Sequence, residues 1–311
     1  MAAFLAGRRR EVAAALFILV VLAILPFYVT PFQTRILQSI AFATGLALAW
    51  NLLGGFAGYG SFGHTVFVGL SAFVAAHVAA WLGGGGGWVN FMIALTVGTA
   101  ASAILAFCLA AAVLRLRGVY FAIATLGVGE VVAELVNNVD AFKGAVGVLL
   151  PSPFPSTIEP ELGFYYLFFI ASTVIFIVSV AIRYSRIGYG LISIREDEDT
   201  ARMLAVPTER YKTFVFVLSG AFAGALGVIY AYSLGYITTS SVFRSDFSLF
   251  LIVYCMLGGL GTLTGPIIGA AVMVWLTQVA LGSWLDYHLM ATGIILVLLV
   301  VLLPGGLIGA A

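Results

Sequence analysis

Two groups of residues in this chain have the types and spacing that transport or proton chemistry would use. Glu130 and Glu134 stand one helical turn apart inside an apolar stretch, where paired carboxylates can relay protons or meet a cation. Asn51, Ser61 and His64 lie in and beside the glycine-rich run GGFAGYGSFGH at 54–64, polar groups next to a break in the helical pattern. Other reaction classes fail on spacing. A GxSxG elbow needs glycine two residues before its serine, and Tyr59 occupies that position ahead of Ser61. Lys143 and Lys212 are the only lysines, and neither closes a GxxxxGK[ST] run that would cradle nucleotide phosphates. His64, His77 and His288 are far apart, without HExxH or CxxC spacing, and Cys108 and Cys255 each sit in an apolar run. The expectation is no metal site, no disulfide framework and no catalytic residue.

The elements that hold these residues follow from composition. Of 311 residues, 62% are apolar and only 9% charged, far below the roughly one quarter of a soluble domain. The chain is expected to be an all-α integral membrane protein, which leaves no room for a nucleic-acid partner. A span needs roughly 20 apolar residues. Ten segments qualify, near 12–30, 36–57, 62–82, 88–114, 119–136, 163–182, 213–235, 247–258, 264–282 and 287–303. They predict one transmembrane domain over residues 1–311, with about ten helices and glycine-rich breaks. The eighth segment is short and reads as a half-helix. Arg8 to Arg10 precede an apolar run that leads into LPFYVTPF rather than a small-residue cleavage site, so it reads as a retained span.

Charge placement orients this scheme. With the amino terminus inside, Arg115, Arg117, Arg183, Arg186, Arg195, Arg202, Arg210 and Lys212 join Arg8 to Arg10, while Arg35, Lys143 and Arg244 fall outside. That asymmetry matches the positive-inside rule. Residues 137–162, with LPSPFP, are expected to form an outer loop, and 183–212 an inner one.

The inner loop is the most charged part of the chain. Ile187, Leu191, Ile194, Ala201 and Ala205 fall on one stripe of a predicted amphipathic helix that Pro207 ends, with Thr208 capping the next span. Balanced charges make it unlike a lysine-rich lipid anchor; it reads either as a docking element for a protein or as a solvated loop. Elsewhere Gly220, Gly224 and Gly227, then Gly265 and Gly269, form small-xxx-small patterns suited to close helix packing. LGGF at 53–56 and LGGL at 257–260 echo each other, and paired interruptions of this kind point to a path between two halves of a transporter.

Four stretches carry a resemblance: NLLGGFAGYGSFGHTVFVGLSAF at 51–73, RGVYFAIATLGVGEVV at 117–132, the run from ISIREDEDTARMLAVPTERYK into the next span, and LGGLGTLTGPIIGAA at 257–271. The chain resembles LivM-type permeases, the membrane subunits of branched-chain amino-acid ABC importers. The family pattern has glycine at the position of Ala205, a basic residue near Glu134 and a TGG-like run where FKGAVG stands at 142–147. The resemblance implies a bacterial inner-membrane permease paired with a LivH-like second permease, two cytoplasmic ATPases that bind ATP and Mg, and an external binding protein. It implies no cofactor on this chain, and it makes Arg195, Glu196, Asp197, Glu198, Asp199, Ala201 and Arg202 the ATPase-coupling segment. Related permeases for urea, amides or sugars, and an ion-coupled transporter using Glu130 and Glu134, are the alternative readings.

Overall fold

The computed structural model describes residues 20–83, 86–139, 144–155, 157–280 and 306–309, with positions 142 and 293. Most of the expected first and tenth spans, together with Arg8 to Arg10, Lys143 and His288, lie outside the described residues. Among the described residues, six helices are long and apolar enough to cross a membrane. Two shorter apolar helices, Thr65–Trp81 and Gly265–Val279, coincide with the third and ninth expected spans.

The helices are α1 (Pro31–Leu53), α2 (Thr65–Trp81), α3 (Trp88–Val113), α4 (Val119–Asn138), α5 (Pro160–Arg183), α6 (Arg186–Glu196), α7 (Glu198–Met203), α8 (Thr208–Leu234), α9 (Thr239–Val242), α10 (Ser245–Gly258) and α11 (Gly265–Trp275). Local chemistry starts α1 firmly. Thr30 accepts from the Gln33 amide, Gln33 Oε1 accepts from the Thr30 amide at 3.0 Å, and Pro31 follows the cap. Tyr165 and Tyr166 on α5 donate to the Leu22 and Ala23 carbonyls, each at 2.7 Å, and tie the helical turn before α1 to the bundle.

Helices α1 and α8 form the centre: α8 packs on α3, α2 and α1, and α1 also packs on α5 and α11. Small residues permit this. A Cβ on Gly220 would meet Ala106 at 2.8 Å, one on Gly224 would meet Ser102 at 2.5 Å, and one on Gly227 would meet Val68 and Ser71. Side-chain hydroxyls then join helices through backbone carbonyls, Ser102 to Phe67 at 2.8 Å and Ser172 to Ala41 at 2.6 Å.

Two expectations change in form. The loop at 137–162 contains a short ribbon, Val148–Leu149 (β1) pairing antiparallel with Tyr236–Ile237 (β2) after α8. The eighth segment begins earlier than 247, as α9 and α10 over Thr239–Gly258, and α10 packs on α11 as a hairpin. In that hairpin a Cβ on Gly265 would meet the Gly259 carbonyl at 2.5 Å, and one on Gly269 would run into the Tyr254 carbonyl, so both lie at close backbone contacts.

Candidate functional site: a charged loop anchored to two glycine breaks

The loop at 183–212 is two helices. Asp197 takes an extended conformation and caps α7, accepting from the Thr200 amide at 2.6 Å, which breaks the single helix expected from the apolar stripe. The chain then turns at Ala205, whose φ of 59° is left-handed, the region that glycine adopts without strain. The next helix is capped at Pro207 rather than Thr208, and Thr208 instead accepts from Arg202 Nε at 3.0 Å.

The break reorients the charges. Glu198 turns inward and is 8% exposed, and Ala201 beside it is buried. Lys212, in the second turn of α8, is 1% exposed and donates to Glu198 at 2.7 Å, to the Tyr59 hydroxyl at 3.2 Å and to the Leu114 carbonyl at 3.3 Å. Tyr59, from the glycine-rich loop after α1, donates to the second Glu198 oxygen at 2.5 Å. Arg202 reaches Glu198 at 2.9 Å and Glu209 at 2.5 Å, and Arg117 lies 3.4 Å from Glu198 while holding Asp199 through two bonds of 2.9 Å. One carboxylate thus joins the charged loop to the loops after α1 and α3 and to α8.

Electrostatics keep this cluster charged. Burial alone would raise the Glu198 carboxyl, but hydrogen bonds from Lys212 and Tyr59, with the Lys212 and Arg117 charges, hold it below the usual carboxylate range. Burial first, and then the Glu198 bond and charge, push the Tyr59 phenol above its ordinary value, so it remains a donor. The hydrogen bond from Arg117 lowers Asp199.

Arg195 makes a second attachment. Its guanidinium donates to the Gly55 carbonyl at 3.1 Å and reaches exposed Glu196 at 3.2 Å. Gly261, at φ +74°, lies against the same guanidinium: a Cβ there would stand 2.4 Å from Arg195 Nη1 and 2.7 Å from the Gly55 carbonyl. Asn51 closes the junction by donating to the Thr262 carbonyl at 2.8 Å and accepting from the Gly261 amide at 3.1 Å. The LGGF and LGGL breaks, over two hundred residues apart in sequence, therefore touch through Asn51 and Arg195.

The other polar candidates separate. Ser61 is buried, and its carbonyl accepts from Trp50 Nε1 at 2.7 Å. His64 is buried with Nε2 2.7 Å from Ser219 Oγ. Because Ser219 donates its only proton to the Ala49 carbonyl at 2.6 Å, His64 Nε2 must carry hydrogen and Nδ1 is left as an unpaired buried acceptor. Glu130 and Glu134 instead occupy the exposed face of α4 with Tyr120, Ile123 and Val131, and Glu134 accepts from Asn138 at 2.8 Å. Asn51, Ser61 and His64 thus lie inside the bundle and the carboxylates on its outside. Among the described residues, no three His, Cys, Asp or Glu side chains converge as a metal site requires.

Tyr59, Arg117 and Lys212 had no place among the candidate site residues read from the sequence. A lysine in the second turn of the helix, at the edge of the apolar run that begins at 213, was the available signal, since it must find a partner or face water.

A bundle of apolar spans with its densest charge cluster at one end defines a multi-pass membrane protein. The sequence profile described as "Branched-chain amino acid transport system / permease component" matches residues 32–303, and the chain belongs to that family. It is 28% identical to the high-affinity branched-chain amino acid transport system permease protein LivM of Salmonella typhimurium, over 94% of this chain and 73% of that protein. It is also 28% identical to LivM of Escherichia coli, over 85% of this chain and 67% of that protein. LivH of Escherichia coli is 27% identical over 56% of this chain and 60% of its own length. No solved structure matches. The chain is a multi-pass protein of the bacterial inner membrane.

Proposed function

We propose that this chain is the permease subunit of an ATP-driven importer for a branched-chain or other hydrophobic amino acid, and that residues 183–212 convert the motion of partner ATPases into alternating access. In this reading the loop is cytoplasmic, two ATP-binding subunits with ATP and Mg dock on it, and an external binding protein delivers substrate. In this reading the chain crosses the membrane about ten times.

The observation that carries the proposal is the attachment of the loop to the bundle. Glu198 holds Tyr59 and Lys212, and Arg195 holds Gly55, so a push on α6 and α7 moves the breaks after α1 and α10 together. The surface free to receive that push carries Glu196, Asp199 and the exposed Met203 and Leu204, 86% and 71% accessible. Apolar knobs within a charged rim have the composition of a protein contact. Glu130 lies about 12 Å from the outer end of α4, at the 1.5 Å rise of a helix, on a face that this chain leaves open. Tyr120, Ile123, Val131 and Leu135 are exposed on the same helix, and in this reading the open face of α4 is where a LivH-like second permease packs and the path runs.

The test is to reconstitute the permease pair with its ATPases and binding protein and to measure ligand-stimulated ATP hydrolysis over a panel. Leucine, isoleucine and valine should stimulate it most. Stimulation by urea, amides or sugars alone would reassign the substrate, and uptake driven by a proton gradient without ATPases would overturn the proposal.

A further inference from the structure

On the outside of the bundle, α3 and α8 leave between them a groove of about 540 Å³, within the size range of small-molecule sites. Phe107 from α3 and Phe214, Val217, Leu218 and Ala221 from α8 give it apolar walls. Both helices are membrane spans, so the trough opens at a depth where hydrocarbon is the surrounding solvent.

Its mouth lies at the end of the bundle that bears the charged loop, where Glu209 and Arg210 stand in the first turn of α8. These two charges are not equivalent. Glu209 already meets Arg202 at 2.5 Å and Lys212 at 3.3 Å. Arg210 is exposed and makes no hydrogen bond or ion pair with any described residue. The groove is therefore apolar along its length, and the charge at its mouth left without a partner among the described residues is the Arg210 guanidinium, which makes it complementary to a molecule with a hydrocarbon tail and an anionic head.

We propose that this groove binds an anionic phospholipid, with an acyl chain against Phe107, Phe214 and Leu218 and the headgroup phosphate at Arg210. Arginine matches a phosphate through its planar fork, and one basic group near the membrane surface favours an anionic over a zwitterionic lipid by about fivefold. The site differs from the substrate path, which the proposed function puts at the open face of α4. It wedges the α3–α8 seam beside buried Lys212.

The purified permease complex, incubated in detergent with phosphatidylglycerol or phosphatidylcholine of identical chains, provides the test. Native mass spectrometry reads the lipid retained, and a photoactivatable benzophenone residue replacing Leu218 reads what fills the groove. Phosphatidylglycerol should be retained over phosphatidylcholine and cross-link at position 218. R210Q should lower phosphatidylglycerol retention about fivefold and leave phosphatidylcholine unchanged. A221W, which fills the trough, should lower both; if that variant does not assemble, R210Q on its exposed side chain carries the test alone. Equal retention of the two lipids by wild type and R210Q would overturn the proposal. So would a cross-link to residues 1–19 or 281–305 of this chain or to a partner subunit, or displacement of the lipid by inorganic phosphate.

Discussion

Replacing Lys212 by methionine keeps an unbranched side chain one atom shorter and removes the charge that sits 2.7 Å from Glu198 in a nearly water-free setting. Removing one member of a buried pair costs about 3 to 5 kcal/mol, because the other charge remains desolvated. Here Glu198 keeps Tyr59 and two half-exposed arginines, Arg117 and Arg202, so the lower end applies, about 3 kcal/mol. Glu198→Gln added to Lys212→Met removes the stranded charge, and the pair should show a coupling of about 1.5 kcal/mol or more in a double-mutant cycle. Arg117→Gln, which strips a half-exposed bond to Asp199 and a longer 3.4 Å contact with Glu198, is the exposed-pair control and should cost under about 1 kcal/mol. The assay is the fraction of purified permease complex that survives a temperature series, read by size exclusion. A cost for Lys212→Met no larger than the Arg117 control, or additivity within about 0.5 kcal/mol, would refute the claim that Glu198 is the buried joint of the loop.

Three further outcomes follow from the same geometry. Ala205→Gly relieves a left-handed alanine and should raise stability by about 0.5 to 1 kcal/mol, measured as a higher melting temperature of the complex. Gly261→Ala strains a φ of +74° and drives a methyl into the Gly55 carbonyl and Arg195, so it should cost at least about 1 to 2 kcal/mol in the same melt. Because the fold holds the Glu198 carboxyl below its unfolded value, its contribution is full above the usual carboxylate range, about pH 4.3, and is lost as pH falls through the folded value. Melting temperatures taken down the acid range should fall less steeply in Glu198→Gln than in wild type.

The spans were legible because hydrophobic length alone defines them: α1 and α8 run 23 and 27 residues and fall on expected segments. The small residues at 220, 224 and 227 were legible for the same reason, since period and size suffice in lipid. The loop was half legible. Its charge density and Pro207 stand out, but the break at Asp197 depends on an aspartate cap that competes with the apolar stripe running through it. The burial of Glu198 was beyond sequence reading. Its partners Tyr59 and Lys212 lie 139 and 14 residues away and meet it only once α1, α3 and α8 have packed. The contact between the two glycine breaks is of the same kind: the LGG echo hinted at pairing, while Asn51 and Arg195 as its bridge come from tertiary geometry.

The ratio of amino acid imported to ATP hydrolysed, in proteoliposomes holding the complete importer, tests the central claim most directly when wild type is compared with Arg195→Gln. That variant loses the charged hydrogen bond to Gly55 and the exposed pair with Glu196, while leaving the Glu198 cluster and the exposed Met203 and Leu204 in place. Hydrolysis should persist and import per ATP should fall severalfold, because the loop still receives ATPase motion but passes less of it to the glycine breaks. An unchanged ratio would mean that the motion reaches the bundle by another route and would contradict the account.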